Sequence, residues 1–166
     1  MVQQFSTLLK KAKTVIHTVL YLTLATVNKK GQPWNSPVYT AFDEEYTFYW
    51  TSWALNQHSQ NINENETVFA VIYDSSAPEG TEFGVYLQGK AYQLDTKDIA
   101  EIQKALILMS ERSDKPSKSA QEFVGAFPQR VFKFVPEEVW VNVDDHIDGH
   151  YIDTRVELTD ELLHSH

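Results

Sequence analysis

Apolar residues recur at Phe5, Leu8, Leu9 and Ala12, the spacing of one helical face, with Ser6 or Thr7 near the start, so residues 4–14 are predicted to form an amphipathic helix. Strand patterns then take over: Val19–Asn28, Pro33–Phe42 and Tyr46–Thr51 are β-branched or aromatic runs separated by turns at 29–32 and 43–45. Turns this short favour antiparallel hairpins over parallel crossovers. The apolar stretch Val15–Val27 follows a basic segment, but it contains His17, Thr18, Thr23 and Thr26 and is too short to span a bilayer; it is read as strand. A short helix at 57–64 precedes a strand at Thr67–Tyr73, a loop at 74–81 and a strand at Phe83–Leu94. Gly89 interrupts that strand pattern, as at a bulge or a close backbone approach. Residues 97–111 read as a helix with Ile99, Ile102, Leu106 and Met109 on one face. Ser119–Glu122 is a capping-box pattern for a second short helix, which Pro128 limits. Arg130–Val135 and Val139–Val143 complete the strands. The expected fold is α+β: an antiparallel, six- to seven-stranded, closed or partly closed barrel with flanking helices, closure removing exposed strand edges.

Composition narrows this picture. At 166 residues the chain fits one domain, 1–166, with 157–166 as a peripheral tail. Nine Phe, eight Tyr and four Trp suit a sheet-rich interior. The formal charge is −9, and no Lys/Arg-dense block exists beyond Lys10, Lys11 and Lys13, which argues against nucleic-acid binding. The absence of cysteine excludes thiol nucleophiles, Cys-ligated zinc, iron–sulfur clusters and disulfides. With no export signal visible, a cytoplasmic protein is expected and the sequon Asn65-Glu66-Thr67 carries little weight.

The chemistry concentrates between Tyr46 and Gly89. A buried strand ends at the hydroxyls of Thr51 and Ser52, and Asn56 can cap a helix whose first turn carries Gln57, His58 and Ser59. A helix start has unpaired N–H groups and partial positive charge, so this junction is a plausible phosphate cradle. The plainer alternative is an exposed helix-start histidine beside hydroxyls that end a strand and cap a turn. Asp144–His150 offers oxygen and nitrogen at close spacing, but lacks the ordered positions of a calcium loop and is read as a solvated acidic loop, so no metal is expected. His164-Ser165-His166 reads as a disordered end. The types needed for Ser/His/Asp hydrolysis are present without a Gly-x-Ser-x-Gly elbow.

The order of these motifs resembles the FMN-binding split-barrel family typified by pyridoxamine 5′-phosphate oxidase, and within it the uncharacterised and general-stress-protein branch, over roughly residues 5 to 156. The resemblance rests on Leu24-Ala25-Thr26-Val27, Gly31-Gln32-Pro33, Ser36-Pro37-Val38, Phe48–Ser52, Gln57–Ile62, Glu79-Gly80-Thr81 and Gly84–Gly89. It implies FMN held at the interface of a homodimer. Carried over by position, Thr51, Ser52, Gln57 and His58 would meet the phosphate, while Asn35, Ser36, Pro37 and Val38 would run beside the flavin ring. Trp50 would pack near the cofactor, and Trp140 and Arg155 resemble the aromatic and the arginine that come over the flavin. Arg155 could alternatively pair with Asp153 or Glu157. The oxidases place Arg and Lys at the helix start and Arg on the second strand; Gln57-His58 and Asn35 stand here, so vitamin oxidation itself is not expected. The resemblance implies flavin-mediated hydride or electron transfer to a small substrate. Its alternatives are a flavin-binding stress protein without turnover, or a split barrel holding haem or F420.

Overall fold

Helix α1 runs Val2–Thr18, longer at both ends than the periodicity suggested. Ile16 falls four residues after Ala12 on the same face, and both are buried, so Val15–Thr18 form the last turn of the helix rather than the start of a strand. Thr14 and Thr18 satisfy their hydroxyls on the carbonyls of Lys10 and Thr14. The computed structural model describes residues 2–81, 83–148 and 150–164, and the side chains of residues 2–4, 144–147, 151 and 153 fall outside that description.

Strands β1 (Tyr21–Val27) and β2 (Pro33–Tyr39) form the first hairpin. The chain leaves β2 at Thr40, whose N–H bonds the Leu20 carbonyl, and pairs again as the two-residue β3 (Ala41–Phe42). Asp43 then organises the turn by accepting from the N–H groups of Glu45 and Thr47, with Tyr46 at φ 57°. That turn delays β4 to Phe48–Trp53, two residues later than expected at each end. Helix α2 (Gln57–Glu64) and β5 (Thr67–Tyr73) lie where the sequence places them. After β6 (Gly84–Gln93) come α3 (Ile99–Ser113) and a single 3-10 turn at Ala120–Phe123, opened by the expected Ser119/Glu122 capping box.

The two late strands are one, β7 (Gln129–Ile147). Pro136 does not interrupt it, because its register shifts opposite Gln88/Gly89 and the proline sits at that bulge. A Cβ on Gly89 would lie 2.1 Å from the Val135 carbonyl oxygen, which is why this position is glycine. The expected acidic loop is the end of β7 and the start of β8 (His150–Glu157), antiparallel partners. Residues 157–166 are not wholly peripheral either: Leu158 and Leu162, around the short helix α4 (Thr159–Leu163), are buried in the main core. Ser165 and His166 lie outside the described residues.

All eight strands join one antiparallel sheet in the order β2-β1-β5-β6-β7-β4-β3, with β8 on β7. Laid flat, β2 and β4 would stand five strand spacings apart, about 24 Å. One imidazole nonetheless touches both, as described below, so the sheet curls until its first and sixth strands face each other across a gap. The inner side holds the main core, including Leu22, Leu24, Trp50, Leu87, Phe132 and Phe134. A second core on the outer side packs α3 and the 3-10 turn against Tyr49 and Val131 of β4 and β7. Among the described residues no helix is long and apolar enough to cross a membrane.

Candidate functional site

The gap between β2 and β4 is spanned by side chains. Along β4 alternate residues face opposite sides: Phe48, Trp50 and Ser52 point inward, while Tyr49 and Thr51 point out towards α3. On β2 the same alternation sends Ser36 and Val38 inward and Asn35 and Pro37 outward. His58, in the first turn of α2 and only 7% exposed, lies between the strands. Its Nδ1 is 3.0 Å from Ser36 Oγ and its Nε2 is 2.7 Å from Ser52 Oγ. Trp34 Nε1 donates to Ser36 Oγ at 3.2 Å, and Asn56 Nδ2 donates to Ser52 Oγ at 2.8 Å. Burial holds the His58 imidazole below the usual histidine range, because the charged form loses solvation.

A second chain of polar groups anchors the same helix to β1. Gln57 Nε2 donates to Asn61 Oδ1, Asn61 Nδ2 donates to Thr26 Oγ1, and Thr26 Oγ1 donates to the Trp34 carbonyl. Asn56 occupies the N-cap position with extended backbone, but its side chain is spent on Ser52 and makes no cap bond. The first-turn N–H groups of α2 therefore receive no cap from the Asn56 side chain. Two further polar atoms nearby are buried without a partner: Ser59 Oγ, adjacent to His58, and Trp50 Nε1, two residues before Ser52 on the same strand face.

The structure brings together Ser36, Ser52, Gln57 and His58 of the expected site residues, and separates the others. Val38 and Trp50 are core residues; Trp50 is fully buried and stacks on Phe132 at 5.5 Å, a place that packing against a cofactor at the surface would not produce. Thr51 turns to the other side of β4. It lines a cavity of about 330 Å³ with Tyr21, Tyr39, Leu106, Lys115, Lys118 and Phe123, and no carboxylate is among the residues around it.

Asn35, Pro37, Trp140 and Arg155 share the outer sheet face. Direct cross-strand pairs run Pro37–Thr23, Thr23–Val71, Val71–Tyr86 and Tyr86–Trp140, and paired residues point the same way. Arg155, not engaged with Glu157 in any ion pair among the described residues, lies 3.6 Å above the Tyr86 ring, and Phe69 stacks on Trp140 at 6.2 Å. The side chain of Asp153 lies outside the described residues. From β2 to β7 this face spans four strand spacings, about 19 Å.

One residue went unrecognised in the sequence. Arg130 on β7 pairs in register with Ser52, so it rises from the inner side next to the gap. Among the described residues its guanidinium bonds the carbonyls of Gly125, Phe127 and Gln129. Its signal was the strand pairing, which no local pattern reveals. The acidic stretch 144–147 has backbone in β7 while its side chains lie outside the described residues; elsewhere, among the described residues, no group of three potential metal ligands clusters.

The fold and gap define an α+β split barrel. A family model described as pyridoxamine 5′-phosphate oxidase matches residues 8–142, and the chain belongs to that family. No curated protein matches it. Solved structures share the fold at low identity. A Bacteroides thetaiotaomicron protein described as a candidate in 5-nitroimidazole antibiotic resistance superposes with TM-score 0.66 at 14% identity, covering 80% of this chain and 81% of that one. Atu2129 of Agrobacterium tumefaciens, of unknown function, gives 0.64 at 17%, covering 81% of this chain and 55% of that one. A haem-binding protein from Mycobacterium smegmatis gives 0.61 at 19%, covering 89% and 57%. The chain thus spans little more than half the length of the last two.

Proposed function

We propose that the protein is an FMN-binding oxidoreductase acting as a homodimer. The observation that carries this reading is the Ser36–His58–Ser52 bridge at an uncapped helix start, a concentration of donors suited to a phosphate. The residues present fit the group: Ser36, Ser52, His58 and the first-turn N–H groups of α2 would hold the phosphate. Asn35 and Pro37 would meet the flavin ring on the outer sheet face. Bound flavin would supply hydride and electron transfer, chemistry that the chain's own side chains lack.

The placement of the outer-face residues supports a homodimer. Asn35 and Trp140 lie on strands four places apart in the sheet order, and a partner subunit offers a way to bring both kinds of group to one ring system. A two-fold partner could present its own Trp140 and Arg155 beside the first subunit's Asn35. The outer face is suited to such burial, with Tyr21 and Tyr73 exposed at 55% and 44%. The cavity at Thr51, with lysines and no carboxylate, is assigned to a small anionic substrate. His58 is poorly placed as an axial haem ligand, because that role needs an open ring nitrogen and both of its nitrogens are engaged.

Purified protein titrated with FMN and followed by visible spectroscopy tests the assignment. Saturation at one FMN per subunit, with reduction by NADH or NADPH, is expected. A protein that takes up haem or F420 tenfold more tightly than FMN would overturn it, and FMN binding without turnover would leave a flavin carrier rather than an enzyme.

A further inference from the structure

His58 is the one ionisable side chain built into the bridge, and hydrogen-bond counting fixes what its protonation does. A serine hydroxyl has one proton to donate and two lone pairs. Ser36 already accepts from Trp34 and Ser52 from Asn56. Each is left with one lone pair and one proton, and each contacts a different nitrogen of His58. A neutral imidazole carries a single N–H, so one of the two serines must turn its proton into the ring. An imidazolium donates at both nitrogens. Both serines then accept twice, and both hydroxyl protons are released to point into the gap.

We propose that the bridge is a proton-coupled anion seat: a phosphate monoester entering the gap between β2 and β4 is bound together with one proton, taken up by His58, which turns Ser36 and Ser52 into donors to that phosphate. The inference rests on the assignment of the FMN phosphate to this gap.

The charges around His58 favour coupling over permanent protonation. Strands β1, β2 and β4 carry no charged residue. On α2 itself the sole charge is Glu64, at the far end and facing Lys29. From β6 comes Lys90, held by Glu66 at 2.9 Å. From β7 come Lys133, bound to Glu101, the exposed Glu137 and Glu138, and Arg130, opposite Ser52, with carbonyls as its partners among the described residues; the side chains of Asp144 and Asp145 lie outside that description. Among the described residues no carboxylate is bonded to His58, burial disfavours the imidazolium, and the cation nearest in register repels it. The arriving phosphate supplies the missing negative charge, and Arg130 has N–H groups left to join it.

The test is isothermal titration calorimetry of flavin-free protein at pH 7.5, in buffers of different ionisation enthalpy. At that pH the phosphate is already almost fully dianionic, its second pKa being about 6. FMN is expected to bind with uptake of up to about one proton, and riboflavin with none. Between the free and bound pKa of His58, FMN affinity should fall about tenfold per pH unit as pH rises. His58→Gln, which keeps one donor and one acceptor but cannot take a proton, should bind FMN more weakly and without uptake; its melting curve checks that it folds. FMN bound more tightly than riboflavin with no proton uptake by the natural protein would overturn the coupling and leave the phosphate seat standing. Undiminished uptake in His58→Gln would overturn it too. FMN bound no better than riboflavin would remove the seat's ligand, and the cofactor-site assignment would fall with the proposal.

Discussion

Replacing His58 by alanine should loosen the barrel even when nothing is bound to it. The imidazole makes two hydrogen bonds, to Ser36 and Ser52, each contributing about 1 kcal/mol net. Its nearly complete burial adds about 1 kcal/mol of lost packing. The serines keep Asn56 and Trp34 as donors, so no buried hydroxyl is left wholly unpaired and no larger penalty is expected. The sum is about 3 kcal/mol, which for a domain of this size lowers the melting temperature by about 10 °C. Calorimetric or circular-dichroism melts of the flavin-free protein read this directly. Ser36→Ala and the double variant complete a cycle whose coupling should be about 1 kcal/mol. His58→Gln, which can still span both serines, should recover a substantial part of the loss. A His58→Ala protein that melts within a degree of the natural one would refute the bridge as a structural link, and His58 would be a ligand residue only.

The remaining expectations separate the two sides of the sheet. Because burial holds the folded-state pKa of His58 below its unfolded value, its contribution to stability is fully present above about pH 6.5 and is lost as pH falls through the folded pKa; denaturant melts across that window should show an acid loss that His58→Gln abolishes. Ser52→Ala should weaken FMN about fivefold or more relative to riboflavin, whereas Thr51→Val, on the opposite face, should leave that ratio unchanged; fluorescence titrations distinguish them. Charge reversal of Lys115 and Lys118 to Glu should raise the KM of an anionic substrate at least tenfold and leave FMN affinity unaffected, as steady-state kinetics would show. Gly89→Ala drives a methyl into the backbone of β7 and should cost about 3 kcal/mol, measured by urea unfolding.

Local patterns carried much of this architecture. The edges of α2 and β5, the capping box at Ser119 and the bulge at Gly89 depend on residues within a few positions of each other, and all were legible. What failed depended on pairing between distant segments. β7 reads as two strands because Pro136 and two glutamates interrupt its pattern, and only β6 with Gly89 opposite explains its continuity. β8 has no strand signal of its own in the sequence because its polar residues pair with an equally polar stretch of β7, whose end reads as a solvated acidic loop. The site divides in the same way. Adjacent residues such as Thr51 and Ser52 were grouped by position, yet strand alternation puts them on opposite faces. Arg130, 78 residues beyond Ser52 in the chain, becomes its neighbour only through the β4–β7 register.

The barrel remains split because β2 cannot accept another strand, and that incapacity creates the site. β2 has one partner, β1, so its other edge faces the gap. Pro33 and Pro37 have the same parity along this strand, and proline in a sheet belongs where its missing N–H is not required, on the unpaired edge. The edge facing β4 is thereby short of donors, and a closing ladder would leave carbonyls on β4 unmatched. Side chains close the gap instead. Histidine suits that task better than a lysine or an arginine, because a neutral imidazole can both donate and accept and so satisfy two hydroxyls without a buried net charge. A fixed cation in its place would hold the gap in one charge state whether or not an anion were present. With His58 the empty gap can be neutral, while the occupied gap gains its positive charge from solvent. The lack of Arg or Lys at the start of α2 is therefore consistent with phosphate binding, achieved through a bridge that also holds the two edges of the barrel together.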